Sequence, residues 1–322
     1  MATSDDTIPY VREPEEAGHL RQISPLLRRL IAPNGGPFTF TGTCSYIVGH
    51  GRVAIIDPGP DDAGHVAALL QAVAGESVAH IVVTHTHRDH SPAAMALQAA
   101  TGAPIVGCAP HTPARALNLG ETSLLDAAND HGYAPDRILH DGETLQGDGF
   151  SLVALATPGH TMNHLCYACP QDNSLFSGDH VMAWSTSIVA PPDGSMGAYM
   201  ASLDLLRGRH EAIYWPGHGG PVREPQRFVR ALVHHRRQRE ISILGRLAAG
   251  DRKIAAIVAA IYEGLDPRLR AAAGLSVFAH LEDFCARGLV ETQGSPALAG
   301  EYFCAAQLQN PNAHPPGPAI RS

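Results

Sequence analysis

The chain has 322 residues, of which 44% are hydrophobic, and it carries a formal charge of −8 at pH 7. This length suffices for one large domain with a small one, and the charge argues against attraction of the whole surface to nucleic acid or anionic lipid. The six cysteines are scattered and suggest no disulfide framework, so we expect a cytoplasmic location. No stretch approaches the roughly 20 apolar residues of a membrane span, and the acidic N-terminus does not resemble a signal peptide.

Short apolar segments alternate with helical ones through the first two thirds of the chain. This alternation predicts an α/β fold built of layers. Residues 1–36 are expected to be irregular, and helices are expected at 61–74 and 92–100. The predicted strands are 45–48, 53–57, 81–84, 105–107, 152–156, 165–168, 174–177 and 212–215.

The composition changes after residue 220, where an Arg-rich helical pattern begins. Helices are predicted at 224–249, 254–262 and 276–287, with a short separate helix at 267–273 and a two-stranded wing after residue 290. The chain is therefore divided into a domain at 1–220, a small winged-helix-like domain at 221–305 and a Pro-rich tail at 306–322 that is expected to be disordered. Between residues 222 and 290 the net charge is +5, so the rest of the chain carries −13.

The most informative segment is His-Thr-His-Arg-Asp-His at residues 85–90, directly after the β-branched run at 81–84. No packing role requires three imidazoles and a carboxylate at this spacing. In open α/β sheets, ligand sites lie outside the carboxyl ends of strands. We therefore predict a metal site here. Its candidate ligands are His85, His87, Asp89 and His90.

Other predicted strands also end in potential ligands. His160 lies in a Pro-Gly-His-Thr turn, Asp179 ends a Ser-Gly-Asp segment, and His218 lies in a Pro-Gly-His turn. Asp57 ends a further strand, before a Pro-Gly turn. Each of these alone is commonly a surface residue. Their recurrence at strand ends predicts that they converge on one site.

These motifs resemble the metallo-β-lactamase-fold hydrolase superfamily over residues 57–218. The resemblance implies a four-layer αββα sandwich that holds two divalent metal ions, expected to be Zn²⁺, at one edge of the sheets. It further implies that Asp57 orients the metal ligands. The implied ligands are His85, His87 and His160 for one ion, Asp89, His90 and His218 for the other, and Asp179 as a bridge between them.

Such a donor set fits the expected chemistry. Imidazole and carboxylate suit Zn²⁺, and an open coordination position admits water. Two ions about 3.5–4 Å apart can share a hydroxide of lowered pKa. We expect this bridging hydroxide to be the nucleophile, with Asp89 and Asp179 as catalytic carboxylates and no requirement for a Ser or Cys nucleophile.

The segment after Asp179 and the C-terminal part resemble the β-lactamase-like protein 2 group over roughly residues 20–305. Members of that group carry a C-terminal winged-helix domain, and the characterised animal members are endoribonucleases on single-stranded RNA. The resemblance therefore implies such an activity as the first expectation. Candidate phosphate contacts are Arg236, Arg237, Arg239, Arg246 and Arg252, and candidate base-stacking residues are Trp184, Tyr199 and Tyr214. The alternative for the arginines is that they lie on a solvated helix face, and the alternative for the three aromatic residues is that they pack in the core.

Four polar residues near the predicted ligands are further candidates. His164 follows His160 by four residues and could protonate a leaving oxygen if its pKa lies near the operating pH. A histidine with a purely hydrogen-bonding role is the alternative. The hydroxyls that could donate to phosphate oxygens are those of Ser185, Thr186 and Ser187.

Other functions are compatible with the same residues. A thioester, lactone or ester hydrolase of the hydroxyacylglutathione-hydrolase type would use the same hydroxide, and the charge of −13 outside the C-terminal part does not favour a long polyanion. A non-catalytic nucleic-acid-binding protein is disfavoured by the complete ligand set. A flavodiiron or persulfide-dioxygenase enzyme needs iron, and His87 stands where flavodiiron sites usually have Glu. The substrate is thus a small molecule or RNA.

Overall fold

Two β-sheets face each other in the computed structural model, which describes residues 8–118, 121 and 128–305. The predicted tail at 306–322 lies outside the described residues. The strands are β1 (Arg21–Gln22), β2 (Leu27–Ile31), β3 (Cys44–Val48), β4 (Arg52–Ile56), β5 (Ser77–Val83), β6 (Ile105–Gly107), β7 (Arg137–Ile138), β8 (Thr144–Gln146), β9 (Ser151–Ala156), β10 (Leu165–Cys169), β11 (Ser174–Gly178), β12 (Ile213–Pro216), β13 (Val290–Thr292) and β14 (Tyr302–Cys304). The helices are α1 (Ala63–Ala72), α2 (Ala93–Thr101), α3 (Met196–Arg207), α4 (Pro225–Ala248), α5 (Ile254–Ile261) and α6 (Arg270–Ala286).

The first sheet has the order β1-β2-β3-β4-β5-β6-β7, and the second has the order β12-β11-β10-β9-β8. In the first sheet β1 to β4 pair antiparallel, and β4 to β7 pair parallel. In the second sheet only β11 and β12 are parallel. Because successive parallel strands end at the same edge, β4, β5 and β6 place their following loops side by side.

Strand β10 shows how the layers are packed, since its side chains alternate between two cores. Leu165, Tyr167 and Cys169 pack in the core that the two sheets share, where α1 and α2 also contribute residues. Cys166 and Ala168 face the other way, into a core formed with α3 and α4. The order of layers is helices, sheet, sheet, helices, which confirms the predicted αββα sandwich.

The C-terminal unit has a hydrophobic core of its own. It consists of the second half of α4, helices α5 and α6, and the β13–β14 hairpin, and it confirms the predicted winged-helix-like fold. Helix α4 joins this unit to the sandwich, because Phe228 and Leu232 pack in the α3–α4 core and Ile243 and Leu247 pack in the C-terminal core. The boundary at residue 220 stays a prediction.

Two predictions differ from the structure. Residues 1–36 are not irregular throughout, because β1 and β2 extend the first sheet. The sequence of β2, Leu-Arg-Arg-Leu-Ile, did not predict a strand because it contains two arginines, one of which, Arg29, is buried and paired with Glu15. The separate helix predicted at 267–273 was wrong, since a 3₁₀ turn at Pro267–Leu269 runs directly into α6. Strands β7 and β8 and helix α3 were not predicted.

None of the helices in the described part of the chain combines the length and the apolar character that crossing a membrane requires. The cytoplasmic location expected from the composition stays a prediction.

Candidate metal centre

Seven potential ligands from four strand ends meet at one edge of the sandwich. Four of them lie in the loop after β5, and the others follow β9, β11 and β12. Their donor atoms form two groups, and within each group all atoms lie within 4.8 Å of one another. The first group is His85, His87, His160 and Asp179, and the second is Asp89, His90 and His218.

Asp179 lies between the two groups. One of its carboxylate oxygens, Oδ2, is 3.7 Å from His160 Nε2 and 3.4 Å from His218 Nε2. Its other oxygen, Oδ1, is buried and has no hydrogen-bond partner among the described residues. The approach of the groups also requires a glycine, because a Cβ at Gly217 would lie 2.6 Å from both Asp179 Oδ1 and His90 Cε1.

The outer hydrogen bonds of two histidines fix which ring nitrogen carries the proton. His160 Nδ1 lies 2.7 Å from the carbonyl oxygen of Ile188, and a carbonyl can only accept. His85 Nδ1 lies 3.0 Å from Thr84 Oγ1, whose own hydrogen is donated to Asp57 Oδ2 at 2.8 Å. In both rings Nδ1 is therefore the donor, and the lone pair of Nε2 faces the cluster.

His87 lies beside both of these lone pairs. His87 Nδ1 is 3.1 Å from His85 Nε2 and 3.0 Å from His160 Nε2. Burial lowers the pKa of His85 well below its ordinary value and that of His87 to about 3, so both rings stay neutral and can offer a lone pair to a cation. In a tetrahedral site with metal–nitrogen bonds of 2.0–2.1 Å, ligand atoms lie about 3.3 Å apart. This donor set fits a divalent cation.

The second group has the opposite electrostatics. Burial lowers the pKa of His90, but the charges of Asp89 and Asp179 outweigh it and raise that pKa to about 9. His218 responds in the same way, mainly to Asp179, and its Nε2 is 3.1 Å from Asp89 Oδ2. The carboxylates thus require positive charge, which protons supply in the absence of a metal. A divalent cation would replace these protons and release them. Together the two groups provide for two divalent cations.

Asp57 connects the strands that lead to the cluster. Its carboxylate accepts hydrogen bonds from Thr84 N and Thr84 Oγ1, both at 2.8 Å, and from His90 Nδ1 at 3.0 Å. It therefore orients His90 directly, and it orients His85 through the hydroxyl of Thr84. This is the position in which we expected it.

His164 does not face the space where a substrate would bind. Its Nε2 accepts the backbone N–H of Asp179 at 3.2 Å, and its Nδ1 is 2.8 Å from Thr157 Oγ1. Burial keeps the pKa of His164 well below its ordinary value, so the ring is neutral. The residue holds the backbone of a ligand, and the role of proton donor to a leaving oxygen has no geometric support.

Several residues expected to contact RNA are committed to the fold. Tyr199 and Tyr214 are fully buried, so they pack in the core, the alternative to base stacking. Trp184 stacks on Phe40, with 5.1 Å between the ring centroids. Ser187 is buried and donates its hydroxyl to the backbone carbonyls of Asp179 and His180, whereas Ser185 and Thr186 line a groove beside the cluster.

The five candidate phosphate-binding arginines do not form one exposed face. Arg236 is only 3% exposed, Arg246 pairs with an aspartate, and Arg252 donates to a backbone carbonyl. Arg239 is half-buried over the ring of Tyr262, and only Arg237 is exposed. The helical pattern did not show that α4 turns Arg236 inward, because one face of the helix packs under the loop after β11.

A cavity of about 200 Å³ opens directly onto the ligands. Beyond the ligands, its lining is largely apolar and includes Phe38, Met182, Ile188 and Ala190. Asp193 also lines it, with His111 Nε2 and Asn129 Nδ2 both 3.2 Å from its carboxylate. Sequence reasoning missed these residues. The sequence Pro-Pro-Asp-Gly at residues 191–194 is typical of a turn, but it does not indicate which side chains of the loop face the cluster.

Comparisons with known proteins agree with this architecture. The sequence profile of the metallo-β-lactamase superfamily matches residues 38–218, and that of the β-lactamase-associated winged helix domain matches residues 254–299. An atrochrysone carboxyl ACP thioesterase of Aspergillus terreus is 28% identical, over 88% of this chain and 84% of its own length. The β-lactamase-like protein 2 homolog of Caenorhabditis elegans is 27% identical, over 70% of this chain and 72% of its own length.

Two solved structures share the fold over nearly the whole chain. A metallo-β-lactamase family protein from Thermus thermophilus has a TM-score of 0.71 at 23% identity, and the match covers 88% of this chain and 100% of that one. A β-lactamase domain protein from Burkholderia ambifaria has a TM-score of 0.74 at 19% identity, with 95% and 99% covered. At these identities the likeness concerns the fold alone.

Proposed function

Because the chain belongs to the metallo-β-lactamase superfamily, we propose that it is a dinuclear metal-dependent hydrolase whose substrates are acyl thioesters. We propose Zn²⁺ for both ions, since imidazole nitrogens and carboxylate oxygens in compact groups are the donors that zinc takes in catalytic sites. When bound, the two ions would supply an activated water and polarise the carbonyl oxygen of the substrate.

The observation that carries this proposal is the lining of the cavity at the cluster. Phe38, Met182, Ile188 and Ala190 offer an apolar surface beside the ligand atoms, which suits an acyl group. None of the described residues that line the cavity is Lys or Arg. Beyond the metal ligands, a phosphodiester would therefore meet the carboxylate of Asp193 and no Lys or Arg among these lining residues.

The side chains around the cluster are also better suited to a thiol leaving group than to an alkoxide. Hydrolysis breaks the C–S bond, forms a C–O bond with water, and gives a carboxylate, a thiol and one proton. Thiols have a pKa near 8.5, so a thiolate can leave with little help from an acid. His164, the expected proton donor, is turned away from the cavity.

The protein's own residues would hold and orient the reacting parts. The backbone carbonyl of Ile188 fixes the tautomer of His160, and Asp57 fixes that of His90. The apolar cavity would exclude water from the acyl group and so limit the attack to the water at the cluster. The proposed metal ligands are His85, His87 and His160 for one ion, Asp89, His90 and His218 for the other, and Asp179 for both.

The relatives give further support. The thioesterase of Aspergillus terreus, whose name states that it acts on an ACP thioester, aligns with most of this chain. Cleavage of single-stranded RNA, the first expectation from the sequence, has less support. The five arginines expected to bind phosphates do not form one exposed face along which a strand could lie, and two of the three candidate stacking residues are buried.

The test is an assay of one metal-loaded preparation on two substrate classes. We expect thiol release from acyl-CoA and acyl-N-acetylcysteamine, and we expect it to stop after chelation and in His160→Ala. The matched control is His210→Ala, which changes an exposed histidine. Cleavage of a fluorescent single-stranded RNA without any thiol release would reject the proposal.

A further inference from the structure

A second, larger space adjoins the cavity at the metal centre. It is a groove of about 540 Å³ between the N-terminal segment, the loop after β11 and the C-terminal helices. Phe38, Met182 and Ile188 line both spaces, so the two spaces adjoin at these side chains. We call it the arginine groove, after the residues that give it its charge. These are Arg12, Arg236 and Arg239, with His235 beside them.

The arginine groove is positively charged and has no counterion of its own. None of the described residues that line it is Asp or Glu. The chain as a whole carries −8, whereas three arginines line this groove. A concave surface of one sign focuses the field and favours an anionic ligand.

Arg236 gives the most direct sign of a missing partner. Its side chain is 3% exposed, and it donates to the backbone carbonyl of Ser187 and, at 3.4 Å, to Ser276 Oγ. Its Nε has no hydrogen-bond partner, and within the described part of the chain it pairs with no carboxylate. Burial of a charge is costly unless an opposite charge accompanies it. An anion in the groove would supply that charge.

Arg239 lies three residues further along α4, about one helical turn away. Its guanidinium carbon is 4.1 Å from the centroid of the Tyr262 ring, a stack that fixes the plane of the group. Its Nε is also unpartnered, and its donors remain available among the described residues. A planar guanidinium held in this way is suited to bidentate binding of a phosphate.

We propose that the arginine groove binds the 4′-phosphopantetheine arm of the thioester substrate, with the phosphate on Arg239 and Arg236. This inference rests on the proposed function. The arm has a phosphate at one end, a thioester at the other and an uncharged chain between them. The groove offers both kinds of surface, because Phe38, Trp184 and Leu265 line it beside the arginines and Phe38 also lines the cavity at the metal centre. An RNA strand would instead carry a charge on every nucleotide into the carboxylate-lined cavity.

Binding of the arm can be measured without turnover. Calorimetry on the metal-loaded protein would compare 4′-phosphopantetheine with pantetheine, which lacks the phosphate. We expect the phosphorylated form to bind about tenfold more tightly, the ratio typical of one charged hydrogen-bond pair. Arg239→Gln should abolish this preference, and Arg239→Lys should keep part of it. Arg237→Gln is the matched control, since Arg237 is an exposed residue of the same helix outside the groove.

The same variants would be assayed with acyl-CoA, an acyl carrier protein thioester and acyl-pantetheine. Arg239→Gln should raise the KM of the two phosphorylated substrates and leave that of acyl-pantetheine unchanged, and the lower KM of the two identifies the natural carrier. Equal binding of both arms by the wild type, or a preference that persists in Arg239→Gln, would overturn the inference. So would single-stranded RNA binding more tightly than the arm with the same dependence on Arg239. If the protein hydrolyses thioesters with the same KM whether or not the arm carries a phosphate, this inference is wrong but the proposed function still holds.

Discussion

Removal of the Asp57 carboxylate should destabilise the protein and weaken metal binding at the same time. The side chain is 2% exposed and accepts three hydrogen bonds, two from Thr84 and one from His90. In Asp57→Ala all three donors lose their acceptor inside the protein. Each buried unsatisfied donor costs about 1–3 kcal/mol, so we expect a loss of about 3–6 kcal/mol if water reaches some of them. Loss of the partner that orients His90 should also weaken metal binding by about 10–100-fold.

Urea unfolding of the metal-free protein measures the first effect, and competition with a chromogenic chelator measures the second. Asp57→Asn should lie between wild type and Asp57→Ala, because it keeps one acceptor oxygen but turns an amide towards a donor. Asp61→Asn, four residues away on the surface, controls for the loss of one negative charge. An Asp57→Ala protein with wild-type metal affinity and a free energy of unfolding within about 1 kcal/mol of wild type would refute the reasoning.

Three further predictions concern other parts of the molecule. Burial lowers the pKa of His65 from 6.5 to about 4. As the pH falls below 6.5, the imidazole is therefore protonated in the unfolded chain before it is protonated in the folded protein. The free energy of unfolding decreases over this range, until the folded form is also protonated near pH 4. Urea unfolding should show that the free energy of unfolding of the wild type falls by about 2 kcal/mol more than that of His65→Gln between pH 7 and pH 5. Equal decreases in the two proteins would contradict this prediction. Gly217→Ala should lose metal while its circular dichroism spectrum stays unchanged, because the new Cβ would contact the ligands Asp179 and His90. Gly208→Ala is the control, since its Cβ would contact no ligand. Full metal content in Gly217→Ala would contradict the described geometry. Leu281→Ala, at a fully buried position, should cost about 2–5 kcal/mol by urea unfolding, and a loss below about 1 kcal/mol would show that the C-terminal core is not packed as described.

The candidate ligands could be predicted from the sequence because each depends on a local signal. A β-branched strand followed by a polar or Pro-Gly turn specifies a strand end, and strand ends in layered α/β folds share an edge. His160, Asp179 and His218 are separated by long stretches of chain, yet each needed only its own strand and turn to be recognised. The alternation of strands and helices predicted only an α/β fold built of layers, and the αββα order was implied by the resemblance to the metallo-β-lactamase-fold superfamily.

Burial of charged residues could not be predicted in this way. Periodicity marks the faces of a helix, but it does not show which neighbour covers a charged face. The sequence therefore placed Arg236 among the candidate phosphate contacts of a basic helix, whereas in the structure it lies under the loop that carries Ser187. Arg29 concealed β2 for the same reason, since its pairing with Glu15 is a tertiary contact. The orientation of His164 likewise depends on the backbone of Asp179, which directly follows strand β11.

The most direct test of the metal centre is the metal content of the purified protein, measured by inductively coupled plasma mass spectrometry beside its thioesterase activity. We expect about two divalent ions for each chain, loss of both ions and activity on dialysis against a chelator, and recovery of both when Zn²⁺ is returned. A folded protein that contains no metal and hydrolyses its substrate equally well with and without the chelator would contradict the assignment of His85, Asp179 and the other ligands.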